Sequence, residues 1–296
     1  MLSRLLPLVL ALGLLSAAPV AADEPVPTSP TASPTPPPAP KQIVMRQRPA
    51  VKGAARFGKT LKRTVGSYAV SGLTYRTRWL RDGKPIRGAV RATYKPRVRD
   101  VGHRIQVRVT VSKSGYRTIT RRSPGRKVKH VRDVRRTVKY SIATNGKMTT
   151  SVKTFRRTVQ QILDDPRGWR AGGIAFKRVK SGGSMTIVLA QASRVPTYSS
   201  GCSSTWSCRV GRHVIINQER WKHASPAWNR AKGTTLLGYR HMVVNHETGH
   251  WLGWNHASCG GKGKKAPVMM QQSKGRNGCT FNPWPKPSER NVPRYR

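Results

Sequence analysis

Residues 246–256 read HETGHWLGWNH and bring three histidines, a glutamate and two glycines into eleven positions. If residues 236–252 are helical, His246 and His250 lie four apart, on one face and one turn from each other, so both imidazoles can reach one metal ion. Glu247 is rotated by about 100° from His246 around the axis, which sets a carboxylate at the flank of that ion, within reach of its water. Gly253 falls where the helix would end, because glycine accepts the left-handed conformation that turns a chain after its last helical turn. The turn would bring His256 back as a third ligand. Three neutral histidines leave a fourth position open for water, the arrangement of a catalytic rather than a structural zinc site. The chemistry expected is therefore hydrolysis with one Zn2+, Glu247 acting as general base and returning the proton to the leaving amine. The competing reading is a helix whose histidines only pack or cap.

The elements that must hold this set are readable from periodicity. Val152, Phe155, Val159 and Ile162 recur every three or four residues, as the buried face of a helix over 150–165 requires. VRRTVKYSIAT, AFKRV (175–179), MTIVLAQ (185–191) and HVIIN (213–217) read as strands, and TLLGYRHMVVNHETGHWLG as the histidine helix. Strands alternating with helices predict a mixed α/β domain over 128–296. Upstream, over 43–124, LTYRTRWL, RATYKPRV and HRIQVRVTVS alternate apolar residues with Arg and Lys between turns at Asp82-Gly83, Val101-Gly102 and Ser114-Gly115, which predicts a small β-sandwich.

HETGHWLGWNH matches HExxHxxGxxH, and so resembles the long zinc signature of the metzincin metallopeptidases. The resemblance implies zinc on His246, His250 and His256 and Glu247 as base. It also implies a methionine in a tight turn beneath the metal, for which APVMM (266–270) offers Met269 first and Met270 second. Gln271 and Gln272 follow where some members carry a tyrosine, so no tyrosine helper is expected. More narrowly, residues 128–286, with CGGKGKKAPVMMQQ and GCTFNPWP, resemble a secreted actinobacterial metzincin-like domain of unknown function. GKTL (58–61), YRTRWLRDGKPIRGA (75–89) and DVGHRIQVRVT (100–110) resemble the immunoglobulin-like repeat of exported actinobacterial proteins, in which the tryptophan, here Trp79, packs between sheets. Together these imply an α+β metzincin-like domain with a twisted mixed sheet and an active-site helix, preceded by an all-β immunoglobulin-like sandwich. Such folds bind peptide along an antiparallel edge strand, expected within 191–211, where Trp206 is either a subsite wall or a core residue.

The first 22 residues combine Arg4, an apolar run from Leu5 to Leu15 and small residues before the first acids, the pattern of a secretory leader. Residues 23–42, rich in Pro, Ser and Thr, read as an extended linker. No apolar run is long enough for a membrane span. Export favours disulfides for the four cysteines: of three pairings, Cys202 with Cys208 and Cys259 with Cys279 are favoured because each pair lies within one Gly- and Ser-rich loop. With no cysteine between 23 and 201, a cysteine-switch zymogen is excluded. The net charge of +47 predicts attraction to polyanions such as cell-wall polymers. Nucleic acid is disfavoured, as no RNP, KH or zinc-finger signature accompanies the charge. The leading expectation is a secreted zinc endopeptidase, free or wall-associated, acting on a peptide or protein. The alternative is a wall- or polyanion-binding exported protein whose zinc site has little or no catalytic activity.

Overall fold

Where valines and isoleucines alternate with arginine, the chain forms strands with one dry face. In the computed structural model, which describes residues 38–295, strand Arg104–Ser112 buries Ile105, Val107, Val109 and Val111. It pairs antiparallel with Thr74–Arg81 and with Ile119–Arg122. A second sheet of Ala50–Lys52, Leu61–Thr64 and Thr93–Tyr94 contributes Val51, Leu61 and Tyr94 to the same core. Trp79, fully buried, stacks on Tyr94 with ring centroids 5.4 Å apart and donates its indole N–H to the Arg91 carbonyl at 2.9 Å. The Asp82-Gly83 turn has both residues at positive φ, 46° and 79°, the geometry of a two-residue hairpin. The expected leader, 1–22, and linker residues 23–37 lie outside the described residues.

One expected strand needs correction. RATYKPRV supplies only Thr93–Tyr94, because Pro96 has no N–H to continue a ladder. The chain turns instead into a short 3-10 helix, Val98–Asp100, around the buried Asp100 carboxylate. That carboxylate accepts from the Arg81 guanidinium at 2.7 Å, the Tyr94 hydroxyl at 2.6 Å and the Arg97 amide at 2.6 Å.

The C-terminal part is a five-stranded mixed sheet with helices against one face. Its order is Ile174–Arg178, Arg136–Asn145, Met185–Ala190, His213–Asn217 and Cys208–Val210. The first four are parallel, and Cys208–Val210 is an antiparallel edge. Every residue of Met185–Ala190 is buried, as a central strand covered on both faces requires. Helix α1 (Val152–Asp164) starts on the Ser151 side chain, which accepts the Thr154 amide, and buries Phe155, Val159, Ile162 and Leu163. Two short helices that the sequence pattern did not announce follow the last parallel strand, α2 (Gln218–His223) and α3 (Pro226–Asn229). Helix α4 (Leu236–Trp251), capped by Thr235, is buried on nearly every side, from Tyr239 through Trp251. Residues 40–295 belong to one compact unit. The architecture is thus α+β with several sheets and few helices, and no helix among the described residues is long and apolar enough to cross a membrane.

Candidate metal centre

Helix α4 carries His246 and His250 one turn apart, with both Nε2 atoms converging at 3.1 Å. The helix ends in a Schellman turn: Gly253, at φ 94°, donates its amide to the His250 carbonyl, and Trp254 donates to the Gly249 carbonyl, both at 3.0 Å. This reversal carries His256 back to the site, where its Nε2 lies 3.1 Å from that of His250. One ring nitrogen from each of the three histidines lies within 4.8 Å of the others.

The orientation of the rings decides what these nitrogens can do. His246 Nδ1 donates to the Val268 carbonyl and His250 Nδ1 to the Trp254 carbonyl, each at 2.8 Å. A carbonyl only accepts, so both Nδ1 atoms carry the hydrogen and both Nε2 atoms present lone pairs. Lone pairs 3.1 Å apart repel in the neutral rings and form no hydrogen bond between themselves; a shared cation satisfies both. Burial, reinforced by the neighbouring imidazoles, pushes His246 down to about 3, and burial likewise takes His250 down to about 4. The rings are therefore held neutral, as metal ligation demands. Three imidazoles of this kind fit zinc.

Glu247, on the same helix, is buried, and desolvation raises its pKa to about 8, opposed by the positive charge of Arg209. It shares a cleft of about 310 Å³ with the three histidines, Trp206, Arg209 and Lys274. Trp206 is half-buried on the wall of that cleft, with the Arg220 guanidinium 5.8 Å from its ring. Cys202 is disulfide-bonded to Cys208 and Cys259 to Cys279. The first bond ties the cleft wall to the edge strand; the second closes the loop beyond His256.

Beneath the histidines the two methionines separate. Met269 packs in the main core against α4, where a Cβ added to Gly249 would overlap its sulfur and meet Trp169 at 2.8 Å. Met270 packs instead with Ala266 and the second disulfide. Gln272, which also lines the cleft, is fully enclosed and bonded to the backbones of Pro267 and Asn282, so it braces the turn.

Two residues of this assembly were not singled out from sequence. Gly249 had a local signal, a glycine in the middle of a helix, where it costs about 1 kcal/mol relative to alanine and so needs a packing reason. Glu289 had none. Its carboxylate accepts the amides of Val268 at 3.1 Å, Met269 at 3.0 Å and Lys286 at 2.7 Å. Its carbonyl accepts the Trp254 indole N–H at 2.9 Å. The carbonyls that orient His246 and His250 belong to Val268 and Trp254, so Glu289 braces both.

The sequence model of DUF3152, described as a protein of unknown function, matches residues 109–283. The chain belongs to the DUF3152 family. No curated protein matches it at significant similarity. The DUF3152 match spans the whole histidine set, Met269 and both disulfides, and stops short of Glu289.

Proposed function

We propose that this protein is an exported zinc peptidase of the metzincin type. The observation that carries the reading is the convergence of three imidazole nitrogens beside a buried carboxylate, with the hydrogens of His246 and His250 committed to carbonyls on their far sides. Zinc bound there would supply an acidified water and a Lewis acid for a substrate carbonyl. Glu247, raised to about 8 in the metal-free cleft, would be held ionised beside the bound cation, accept a proton at its carboxylate from the attacking water and deliver it to the departing amine. The outer edge of Cys208–Val210 has no neighbouring strand among the described residues, which allows an extended peptide to add beside α4. The HExxHxxGxxH resemblance, the Met269 placement and the two disulfides, which suit an oxidising compartment, agree with this assignment.

For the N-terminal sheets, resembling an immunoglobulin-like repeat, the reading is attachment to an anionic surface. Register places Arg78 opposite Arg108, and Arg108 opposite Arg122, in one row across three strands. Like charges directly opposite destabilise a sheet, and none of the ion pairs among the described residues neutralises this row. A polyanion would offset that repulsion.

Zinc titration into the metal-free protein, followed by calorimetry, tests the centre. One ion per chain is expected, lost with His246→Ala or His250→Ala and retained with Glu247→Gln. A protein that takes up no zinc at neutral pH would remove the basis of the reading.

A further inference from the structure

Arg209 sits on the exposed edge strand with its side chain on the face that meets the catalytic helix. Three observations place it there. Its strand neighbours Cys208 and Val210 pack in the small cluster on the opposite face, with Val188, Ala190 and Ile215. In the ladder Arg209 pairs with Val214, which belongs to the main core beneath α4. And Arg209 lines the same cleft as Glu247 and the three histidines. The disulfide from Cys208 to Cys202 anchors the strand immediately before it.

A peptide that adds to the outer edge of this strand sets one of its residues directly opposite Arg209. Cross-strand partners project to the same face with Cβ atoms about 5 Å apart. That peptide side chain would therefore meet the Arg209 guanidinium inside the cleft. Of the residues lining the cleft, Arg209 and Lys274 are cationic and Glu247 is the one acid, reserved for the proton transfer. Arg209 has no ion-pair partner among the described residues.

We infer that the substrate class is a peptide with an acidic residue at the position paired with Arg209, and that Arg209 is the residue setting this preference. The inference rests on the peptidase reading for the location of the cleft. It does not follow from the +47 net charge, which would draw acidic peptides to every face alike.

The test uses the zinc-loaded mature chain and a set of extended peptides identical except for Glu, Gln or Lys at one central position. Binding is read by fluorescence anisotropy at physiological salt on the Glu247→Gln background, and cleavage by mass spectrometry on the native protein. A preference of about fivefold for Glu over Gln is expected, the size of a well-placed ion pair of about 1 kcal/mol. It should vanish with Arg209→Gln, turn toward Lys with Arg209→Glu, and persist with Arg156→Glu, an equal charge change on the exposed face of α1. Equal binding of the three peptides, or equal loss with Arg156→Glu, would overturn the inference. Cleavage without charge preference refutes the acidic class and leaves the peptidase reading standing. Acidic preference in binding without any cleavage supports the Arg209 assignment and refutes the peptidase reading.

Discussion

Gly249 lies between two histidines that face one point, and its missing side chain is what lets Met269 close up beneath them. Gly249→Ala should gain about 1 kcal/mol in helix propensity. The new methyl would overlap a fully enclosed Met269, at a cost of about 1–3 kcal/mol, so the urea midpoint of the metal-free protein should fall. A higher midpoint would show that the methionine has room to move. Glu289→Gln tests the brace behind the rings. Gln would turn an NH2 group toward backbone amides that now donate to a carboxylate, so zinc affinity should drop about 10- to 100-fold, as for other residues that orient metal ligands. An unchanged zinc isotherm would detach Glu289 from the centre. Proton competition follows from the burial of the ligands. Only neutral imidazole holds metal, and burial keeps His246 and His250 neutral to well below the ordinary imidazole range, so bound zinc should survive at pH 6 and leave only on stronger acidification. Release near pH 6.5 would mean the rings are more solvated than this arrangement has them.

At the scale of elements, α4 and its Schellman turn bring histidines six residues apart to one point. Gly253→Ala forces a Cβ into the left-handed region, at about 1–2 kcal/mol, and toward Pro293 Cβ at 3.1 Å. Both the melting temperature and zinc affinity should fall, since His256 depends on that reversal; a drop in stability with unchanged zinc affinity would show that His256 finds its place without the turn. The helix was legible because the histidine spacing and the helical repeat are the same pattern, and the glycine at its end named its own conformation. HVIIN and MTIVLAQ were legible as strands because a dry run flanked by polar residues has few other uses. RATYKPRV misled because its alternation outweighed Pro96, and the buried Asp100 that redirects the chain is a tertiary feature. Helices α2 and α3 are too short to show a period, and each rests on a single capping side chain, Asn217 or Ser225. Glu289 was hidden for a related reason: it reaches the site through backbone amides about 20 residues away, and no local spacing records that.

Across the whole molecule, charge and burial set the pH response. His130 and His241, both outside the metal centre, are pushed down to about 4, chiefly by burial. The unfolded chain binds protons on these residues from about 6.5 downward while the folded chain does not, so their contribution is fully present above about 6.5 and is lost as the pH falls toward about 4. Chemical denaturation of the metal-free protein should show stability declining as the pH falls from about 6.5 toward about 4, against a smaller opposing gain from Glu247, which is raised to about 8; a stability that rises as the pH falls through that window would contradict the burial of both rings. The Arg78, Arg108 and Arg122 row predicts that replacing all three by Gln weakens binding to an anionic polymer more than neutralising three exposed cations of α1 and its flank does. At the three-histidine centre, the proposed hydrolysis is open to direct observation. Incubating the zinc-loaded mature protein with a mixed peptide library, and reading products by mass spectrometry beside Glu247→Gln at equal zinc content, tests it most directly. Cleavage by the native chain and none by the variant is the predicted result; no cleavage by either, or equal cleavage by both, would contradict it.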